Sequence, residues 1–349
     1  MNSFFKYLYH RCVDGESRWY PLLAIYYLTY RCTFRCPYCS NGANQPYHRL
    51  PVKAVDAATA LEILRRIRRH SEHLVITGGE PLEHADVGEV LRRLPALKFK
   101  TVAFTTNGHD LDRHLPEIAA AIDTLVVSLD TLEVRKADAW FGQGDGALTK
   151  ILTNIEAAAA YRHRRYEIVI SAVATPNNIP DLHAVHRYAQ ERGFQLAVCP
   201  ELQGVKAPER LRHHPDYKAF FNFLVDEKKR GQAIFGSTLY LEHMRDFRAF
   251  RCHPFAMLAV DPRGEIFFPC LEIGQMAGNI LDHDDLHAVR RAAHKNRVLP
   301  AGFGTDNDTG SPNSGTDCRA SCHSACALGF SLAIEHPWSA AADTLRSRI

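Results

Sequence analysis

The sequence predicts an α/β fold, a partial (β/α)6 barrel of parallel strands followed by a small C-terminal cysteine-rich cluster domain. From about residue 22 to 200, six short runs rich in Val, Ile, Tyr or Thr alternate with amphipathic helical segments. This alternation indicates parallel strands, because each parallel pair needs a crossover connection. Six units are too few for a closed eight-stranded barrel and fit an open one. Further along the chain the alternation stops and cysteines recur.

The predicted strands are bounded by polar residues, Gly or Pro. They are Leu23–Thr29, Leu74–Thr77, Thr101–Thr105, Leu125–Ser128, Ile168–Ala174 and Gln195–Val198. The first helical segment is Asp56–His70, in which Leu61, Leu64 and Ile67 share one face and Asp56 suits the N-cap. The loops at the C-terminal end of each strand should carry the reactive groups, as they do in barrels of this kind.

The chain divides into four predicted segments. Residues 1–21 form an N-terminal helical extension, 22–204 the barrel, 205–250 a helical connector and 251–349 the cluster domain. The last segment contains a predicted β-hairpin of Ala256–Asp261 and Glu265–Pro269, joined by a turn at Pro262-Arg263-Gly264.

Composition argues against several classes of protein. Charged residues make up 23% of the 349 residues and the net charge is +3, so a nucleic-acid surface is not expected. No run of about 20 apolar residues is long enough to span a bilayer, and no secretion signal is recognisable, so the expected location is cytoplasmic. The N-terminal sequence MNSFFKYLYHRC leaves two alternatives open, a helix on a membrane surface or a helix packed on the domain.

Eight of the ten cysteines fall in two regions, which indicates metal thiolates rather than disulfides. The first region follows the first strand, where Cys32, Cys36 and Cys39 have the spacing C-x3-C-x2-C. Three thiolates on one compact loop suit three corners of a cubane iron–sulfur cluster and leave one iron open to another ligand. Structural zinc is the alternative, but it normally recruits a second pair of ligands that is not apparent nearby.

These three cysteines, with the aromatic Tyr38 before the last of them, resemble the signature of the radical S-adenosylmethionine superfamily. The resemblance implies a [4Fe–4S] cluster that binds S-adenosylmethionine through the open iron and makes the three cysteines the catalytic metal ligands. It also implies reductive cleavage of S-adenosylmethionine to a 5′-deoxyadenosyl radical, which abstracts hydrogen from a substrate. An electron donor such as flavodoxin or ferredoxin is then expected.

Further elements of the chain resemble cofactor-binding parts of the same superfamily. Gly78-Gly79-Glu80-Pro81 follows the second strand and is similar to the GGEP element, which implies contacts to the amino group of S-adenosylmethionine. Glycines at such a turn allow close approach of the backbone to a ligand. The resemblance also implies cofactor-pocket roles for residues at the next two strand ends. They are Thr106, Asn107, Ser128 and Asp130.

The second region of cysteines resembles the auxiliary-cluster domains called SPASM or twitch. It contains Cys252, Cys270, Cys318, Cys322 and Cys326. A full SPASM domain has seven cysteines for two clusters, so five favour one auxiliary [4Fe–4S] cluster of the twitch type. Cys252 and Cys270 are the expected pair, and which two of the other three complete the set is left open. Structural zinc is again the alternative.

The expected function is that of a radical S-adenosylmethionine enzyme acting on a small-molecule or lipid-like natural-product substrate, possibly an oxidoreductase that passes an electron to the auxiliary cluster. One alternative is a peptide-modifying maturase, which the short stretch before Cys32 disfavours. A second is a non-catalytic iron–sulfur or zinc-binding protein. A molybdenum-cofactor cyclase is disfavoured because such chains typically end in Gly-Gly, whereas this sequence ends in Ser347-Arg348-Ile349.

Overall fold

The computed structural model describes residue 7 and residues 19–41, 44–144, 146–273, 275–295 and 322–337. Most of the predicted N-terminal extension lies outside these residues, and so does the helix proposed for a membrane surface. Cys318 also lies outside them. None of the helices in the described part of the chain is long and apolar enough to cross a membrane.

The described residues form nine strands and eleven α-helices. The strands are β1 (Leu23–Thr29), β2 (His73–Gly78), β3 (Thr101–Thr106), β4 (Thr124–Ser128), β5 (Glu167–Ala174), β6 (Gln195–Pro200), β7 (Met257–Val260), β8 (Glu265–Phe267) and β9 (Met276–Asn279). The first six helices are α1 (Ala57–His70), α2 (Val87–Arg93), α3 (Leu115–Ala121), α4 (Val134–Phe141), α5 (Ala147–Ala160) and α6 (Ile179–Glu191). The others are α7 (Glu209–Arg212), α8 (Pro215–Lys229), α9 (Thr238–Asp246), α10 (Leu286–Lys295) and α11 (Ala325–Glu335).

One sheet carries the strands in the order β6-β5-β4-β3-β2-β1-β7-β8-β9. Strands β1 to β6 are parallel, and each of the six overlaps the run that the sequence predicts. Helix α1 begins where expected, because the side chain of Asp56 accepts a hydrogen bond from the backbone N–H of Thr59 at 2.9 Å. The predicted parallel α/β architecture is confirmed.

The predicted hairpin is present, and its position in the sheet adds a point that the sequence did not indicate. β7 and β8 are antiparallel, with Val260 opposite Ile266. β7 also pairs in parallel with β1, so that Tyr26 lies opposite Val260. The hairpin therefore extends the barrel sheet directly. Cys252 and Cys270 flank this hairpin, so its pairing with β1 brings them near the strand that precedes the first cysteine loop.

Side chains alternate between two faces of this sheet. Ala24, Tyr26 and Leu28 of β1 pack with the helices in the main hydrophobic core. Ile25 and Tyr27 point the other way, into a second cluster that includes Ala327. We call this second side of the sheet, which is turned away from the crossover helices, the inner face.

The sheet curves around its inner face. Cys199 is on β6, at one edge of the sheet, whereas Glu272 and Cys326 follow strands at the other edge. Even so, burial and then the charges of Cys326, Asp130 and Glu272 raise the pKa of Cys199 to about 12. Groups on the two edges are therefore close enough to interact electrostatically, as expected for the partial barrel that the sequence predicts.

Candidate functional site

The first cysteine loop leaves the C-terminal end of β1 and has a hydrogen-bond donor within reach of each thiol. The backbone N–H of Phe34 donates to Cys32, and that of Tyr47 donates to Cys39. The phenol of Tyr38 lies at hydrogen-bond distance from Cys36. Donors of this kind favour a thiolate over a thiol and tune a bound metal.

The three thiols of this loop hold their protons strongly, so metal binding is favoured as the pH rises. Burial raises the pKa of Cys32 to about 12 and also raises the pKa of Cys36 and of Cys39. Because a metal binds thiolates, these protons have to leave when a metal is bound.

A single metal ion has no ready-made site in the described residues, since no group of three or more His, Cys, Asp or Glu side chains is placed closely enough for one. Ligands of one zinc ion converge on a point, whereas the thiolates of a cubane cluster attach to its separate corners. The chemistry of the donor set, three thiols on one compact loop with a hydrogen-bond donor within reach of each sulfur, fits a [4Fe–4S] cluster.

The turn after β2 is attached to the cysteine loop by the backbone. The N–H of Gly79 donates to the carbonyl of Thr29 at 2.7 Å, and the N–H of Glu80 donates to the carbonyl of Arg31 at 2.8 Å. A Cβ on Gly78 would stand 2.3 Å from the oxygen of Thr29. The sequence interpretation explained these glycines by approach to a ligand, and the structure adds that they admit the backbone of the cysteine loop.

Glu80 joins the ends of β2 and β3. Its carboxylate accepts hydrogen bonds from the N–H of Leu82 at 3.0 Å, the hydroxyl of Thr106 at 2.8 Å and the N–H of Asn107 at 2.6 Å. Burial nevertheless dominates and raises the pKa of Glu80 to about 7. The carboxylate thus braces the edge of the site, in addition to any contact that it makes with a cofactor.

Asn107 is the predicted pocket residue with an unused donor. Its Oδ1 accepts the N–H of His109 at 2.9 Å, while its Nδ2 is buried and has no hydrogen-bond partner. A buried donor without a partner is costly unless a ligand supplies the acceptor. Among the predicted cofactor-binding residues, Asn107 is therefore the one whose buried donor most directly indicates a bound ligand.

Asp130 and Ser128 are close in sequence and differ in setting. Asp130 is 3% exposed, and its carboxylate accepts the hydroxyl of Tyr38 and the N–H of Val173. Burial raises the pKa of Asp130 to about 6. Ser128 ends β4, half-buried and opposite Ser171 of β5. Asp130 thus contacts the cysteine loop through Tyr38, whereas Ser128 belongs to the wall of the barrel.

Sequence reasoning missed the carboxylate of Glu272. It is half-buried and accepts the hydroxyl of Ser324 at 2.8 Å. Its charge acts on Tyr27 and Tyr47 beside the first cysteine loop, and on Cys326. Glu272 lies two residues after Cys270 in an irregular segment, so no period or motif could have placed it on the inner face.

The described cysteines of the second region converge. Burial raises the pKa of Cys270, and the charges of Glu272, Cys252 and Cys322 add to this effect. Cys270 and Cys326 line one cavity together with Glu272. Hydrogen bonds reach two of the sulfurs, from the backbone N–H of Ile273 to Cys270 and from that of Ser324 to Cys322 at 3.4 Å.

Comparison with known proteins agrees with this geometry. Residues 26–189 match the model of the Radical SAM superfamily. A GTP 3′,8-cyclase 1 from Pseudomonas aeruginosa is 30% identical over 195 residues, which are 54% of this chain and 57% of that protein. A GTP 3′,8-cyclase from Rhizobium etli is 34% identical over 204 residues, 54% of each chain. The chain thus spans little more than half the length of these relatives.

Solved structures share the fold at low identity. SuiB from Streptococcus suis superposes with a TM-score of 0.61 at 19% identity, over 82% of this chain and 69% of that one. The anSMEcpe protein with bound AdoMet and the Kp18Cys peptide gives a TM-score of 0.60 at 16% identity, over 93% of this chain and 99% of that one. At these identities the likeness concerns the fold.

The family match begins inside β1, includes the cysteine loop and the Gly78–Pro81 turn, and ends within α6. Residues 26–189 are therefore a domain of the Radical SAM superfamily, whose members use a [4Fe–4S] cluster and S-adenosylmethionine.

Proposed function

We propose that this chain is an enzyme that cleaves S-adenosylmethionine reductively and uses the resulting 5′-deoxyadenosyl radical to abstract hydrogen from a small molecule. The observation that carries the proposal is the first cysteine loop. Cys32 and Cys39 each accept a backbone N–H, the phenol of Tyr38 lies within hydrogen-bond distance of Cys36, and the loop is fixed by backbone bonds to the Gly79-Glu80 turn.

The residues of the chain would hold and orient the two cofactors. The three thiolates bind the cluster and leave one iron for S-adenosylmethionine. The buried Nδ2 of Asn107 donates to an acceptor of the cosubstrate, and Glu80 keeps Asn107 in place through its backbone N–H. An electron from a small donor protein such as flavodoxin or ferredoxin starts the reaction, and a reducing compartment such as the cytoplasm suits the free thiols.

The test is anaerobic reconstitution of the chain, followed by incubation with S-adenosylmethionine and a strong reductant. We expect 5′-deoxyadenosine to form, and we expect its formation to be abolished in Cys36→Ala. Cys199→Ala is the matched control, because this thiol lies on β6 and outside the loop; it should retain cleavage. Normal cleavage by Cys36→Ala would refute the proposal.

The inner face of the barrel favours a polar substrate over a lipid-like one. Hydroxyl side chains alternate with helix-facing apolar residues near the C-terminal ends of β2, β3 and β4, at Thr77, Thr105 and Ser128. Ser171, within β5, lies opposite Ser128. The carboxylates of Asp130 and Glu272 add negative charge to the same region.

GTP is a more specific candidate for the substrate, because the relatives that match about half of this chain are named GTP 3′,8-cyclases. The carboxyl groups of Asp130 and Glu272 lie close enough to Cys199 to raise its pKa, and in their ionised form they would repel a triphosphate unless cations accompany it. Conversion of GTP with Mg²⁺ present, followed by chromatography, decides this point; a chain that cleaves S-adenosylmethionine but leaves GTP unchanged excludes it.

We also propose one auxiliary [4Fe–4S] cluster of the twitch type, held by Cys252, Cys270, Cys322 and Cys326. The convergence of these four thiols supports it. A cluster there would accept an electron from a substrate radical, which would make the overall reaction an oxidation. A Cys270→Ala chain that still forms 5′-deoxyadenosine but no oxidised product would support this role, and a full yield of product would exclude it.

A further inference from the structure

Asp130 is held in one orientation by the β4–β5 edge. Its Oδ1 accepts the backbone N–H of Val173 at 2.6 Å. Asn178 fixes the backbone on both sides, because its Nδ2 donates to the carbonyl of Asp130 at 3.0 Å and to that of Val173 at 2.9 Å. The remaining oxygen of the carboxylate, Oδ2, is therefore aimed at the cysteine loop, where it accepts the hydroxyl of Tyr38.

The hydroxyl of Tyr38 faces two acceptors with one proton. It lies at hydrogen-bond distance from both the carboxylate of Asp130 and the sulfur of Cys36. The ring of Trp140 packs edge-on against the ring of Tyr38, with centroids 5.8 Å apart, and so limits its movement. Once Cys36 is a metal-bound thiolate, carboxylate and sulfur compete for the phenolic proton, and an ionised carboxylate is the stronger acceptor.

We propose that Asp130 is a positioning residue that controls, through Tyr38, the hydrogen bond to Cys36 and thereby the reduction potential of the cluster on the first loop. The potential of an iron–sulfur cluster depends on hydrogen bonds to its sulfurs and on nearby charge. A hydrogen bond to Cys36 stabilises the more negative, reduced cluster and raises the potential. Asp130 withholds that bond and keeps the potential low. This inference rests on the proposed function, since it requires a cluster on the loop.

The test is the midpoint potential of the full, reconstituted chain, measured by a redox titration that is followed by electron paramagnetic resonance. The signal of this cluster is the one that changes when S-adenosylmethionine is added afterwards. In Asp130→Asn, the amide oxygen still accepts from Val173 and the amide N–H2 donates to the phenol oxygen. The phenolic proton is then free for Cys36, so the midpoint potential should rise.

A double-mutant cycle with Tyr38→Phe separates control through the phenol from the mere loss of a charge. We expect the rise caused by Asp130→Asn to be at least about twofold larger with Tyr38 present than in the Tyr38→Phe background. Asp181→Asn is the matched control: Asp181 accepts hydrogen bonds from Thr131 at 2.9 Å and Lys136 at 2.6 Å. It is not bonded to the cysteine loop, and its substitution should leave the potential unchanged.

Several outcomes would overturn the inference. They are an unchanged potential in Asp130→Asn, and an equal rise in both backgrounds. Asp130→Ala, which removes both carboxylate oxygens, is the second variant and should also raise the potential. Loss of the cluster from both Asp130 variants, with an intact cluster in Asp181→Asn, would make Asp130 a structural residue and also refute the inference. If the wild-type chain binds no cluster, the proposed function itself is refuted.

Discussion

A Cβ on Gly79 would stand 2.5 Å from the carbonyl oxygen of Arg31, in the backbone of the cysteine loop. The contact is with main chain, which cannot rotate away as a side chain can. The same Cβ would also lie 2.5 Å from the oxygen of Tyr30. The turn after β2 and the loop after β1 are therefore packed backbone to backbone.

Gly79→Ala should displace the cysteine loop and lower the iron content after reconstitution by at least about half, because contacts this short force the backbone to move. Iron analysis and circular dichroism measure the effect. Gly88→Ala is the control, since its Cβ would meet the flexible end of Arg92 at 3.2 Å and the ring of His114 at an ordinary contact distance of 3.5 Å; it should bind normal iron. Equal iron in both variants would show that the loop tolerates displacement.

Glu80→Gln should flatten the pH dependence of stability. The folded pKa of Glu80, about 7, lies above the ordinary value of 4.5. The protonated carboxyl therefore adds stability that is complete below pH 4.5 and is lost as the pH rises through 7. Between pH 5 and 8 the wild type should lose up to about 3 kcal/mol relative to the variant.

Denaturant unfolding of both proteins at each pH measures this difference. The slope with pH is decisive rather than the absolute value, because glutamine cannot satisfy all three donors around Glu80 and will lower stability at every pH. Parallel slopes for the two proteins would contradict the prediction.

Asn107→Ser should weaken the binding of S-adenosylmethionine with little effect on iron content. A serine hydroxyl can still accept the N–H of His109, but the donor Nδ2 is lost. A lost hydrogen bond of about 1 kcal/mol corresponds to roughly a fivefold rise in Kd. Calorimetry on the reconstituted protein checks this, and an unchanged Kd would mean that Nδ2 does not face the cosubstrate.

The auxiliary cluster should depend on the cysteines of the second region. We expect iron near eight per chain in the wild type and in Cys199→Ala, and near four in Cys270→Ala, because each cubane contains four iron atoms. Cys199→Ala serves as the control, because this thiol lies on β6 and outside both cysteine regions. Iron near four in the wild type would exclude the auxiliary cluster.

Much of the fold and of the first loop follows from local signals. Each of the six strands is a β-branched or aromatic run with a polar, Gly or Pro boundary, and the cysteines of the first loop follow the end of β1 directly. The roles of Glu80 and Asp130 do not follow from such signals. Both were expected to line a cofactor pocket, and that role stays a prediction, while the structure gives each of them partners on neighbouring strands.

By itself, the sequence determined the alternation of strands and helices and the spacing of Cys32, Cys36 and Cys39, because strand propensity and a short loop are properties of neighbouring residues. Tertiary structure alone decided that β7 extends the barrel beside β1, and that the charge of Glu272 acts on Cys199 although the two residues lie far apart in the chain. Such contacts join residues far apart in the chain, and they form only when the sheet curves and closes around its inner face.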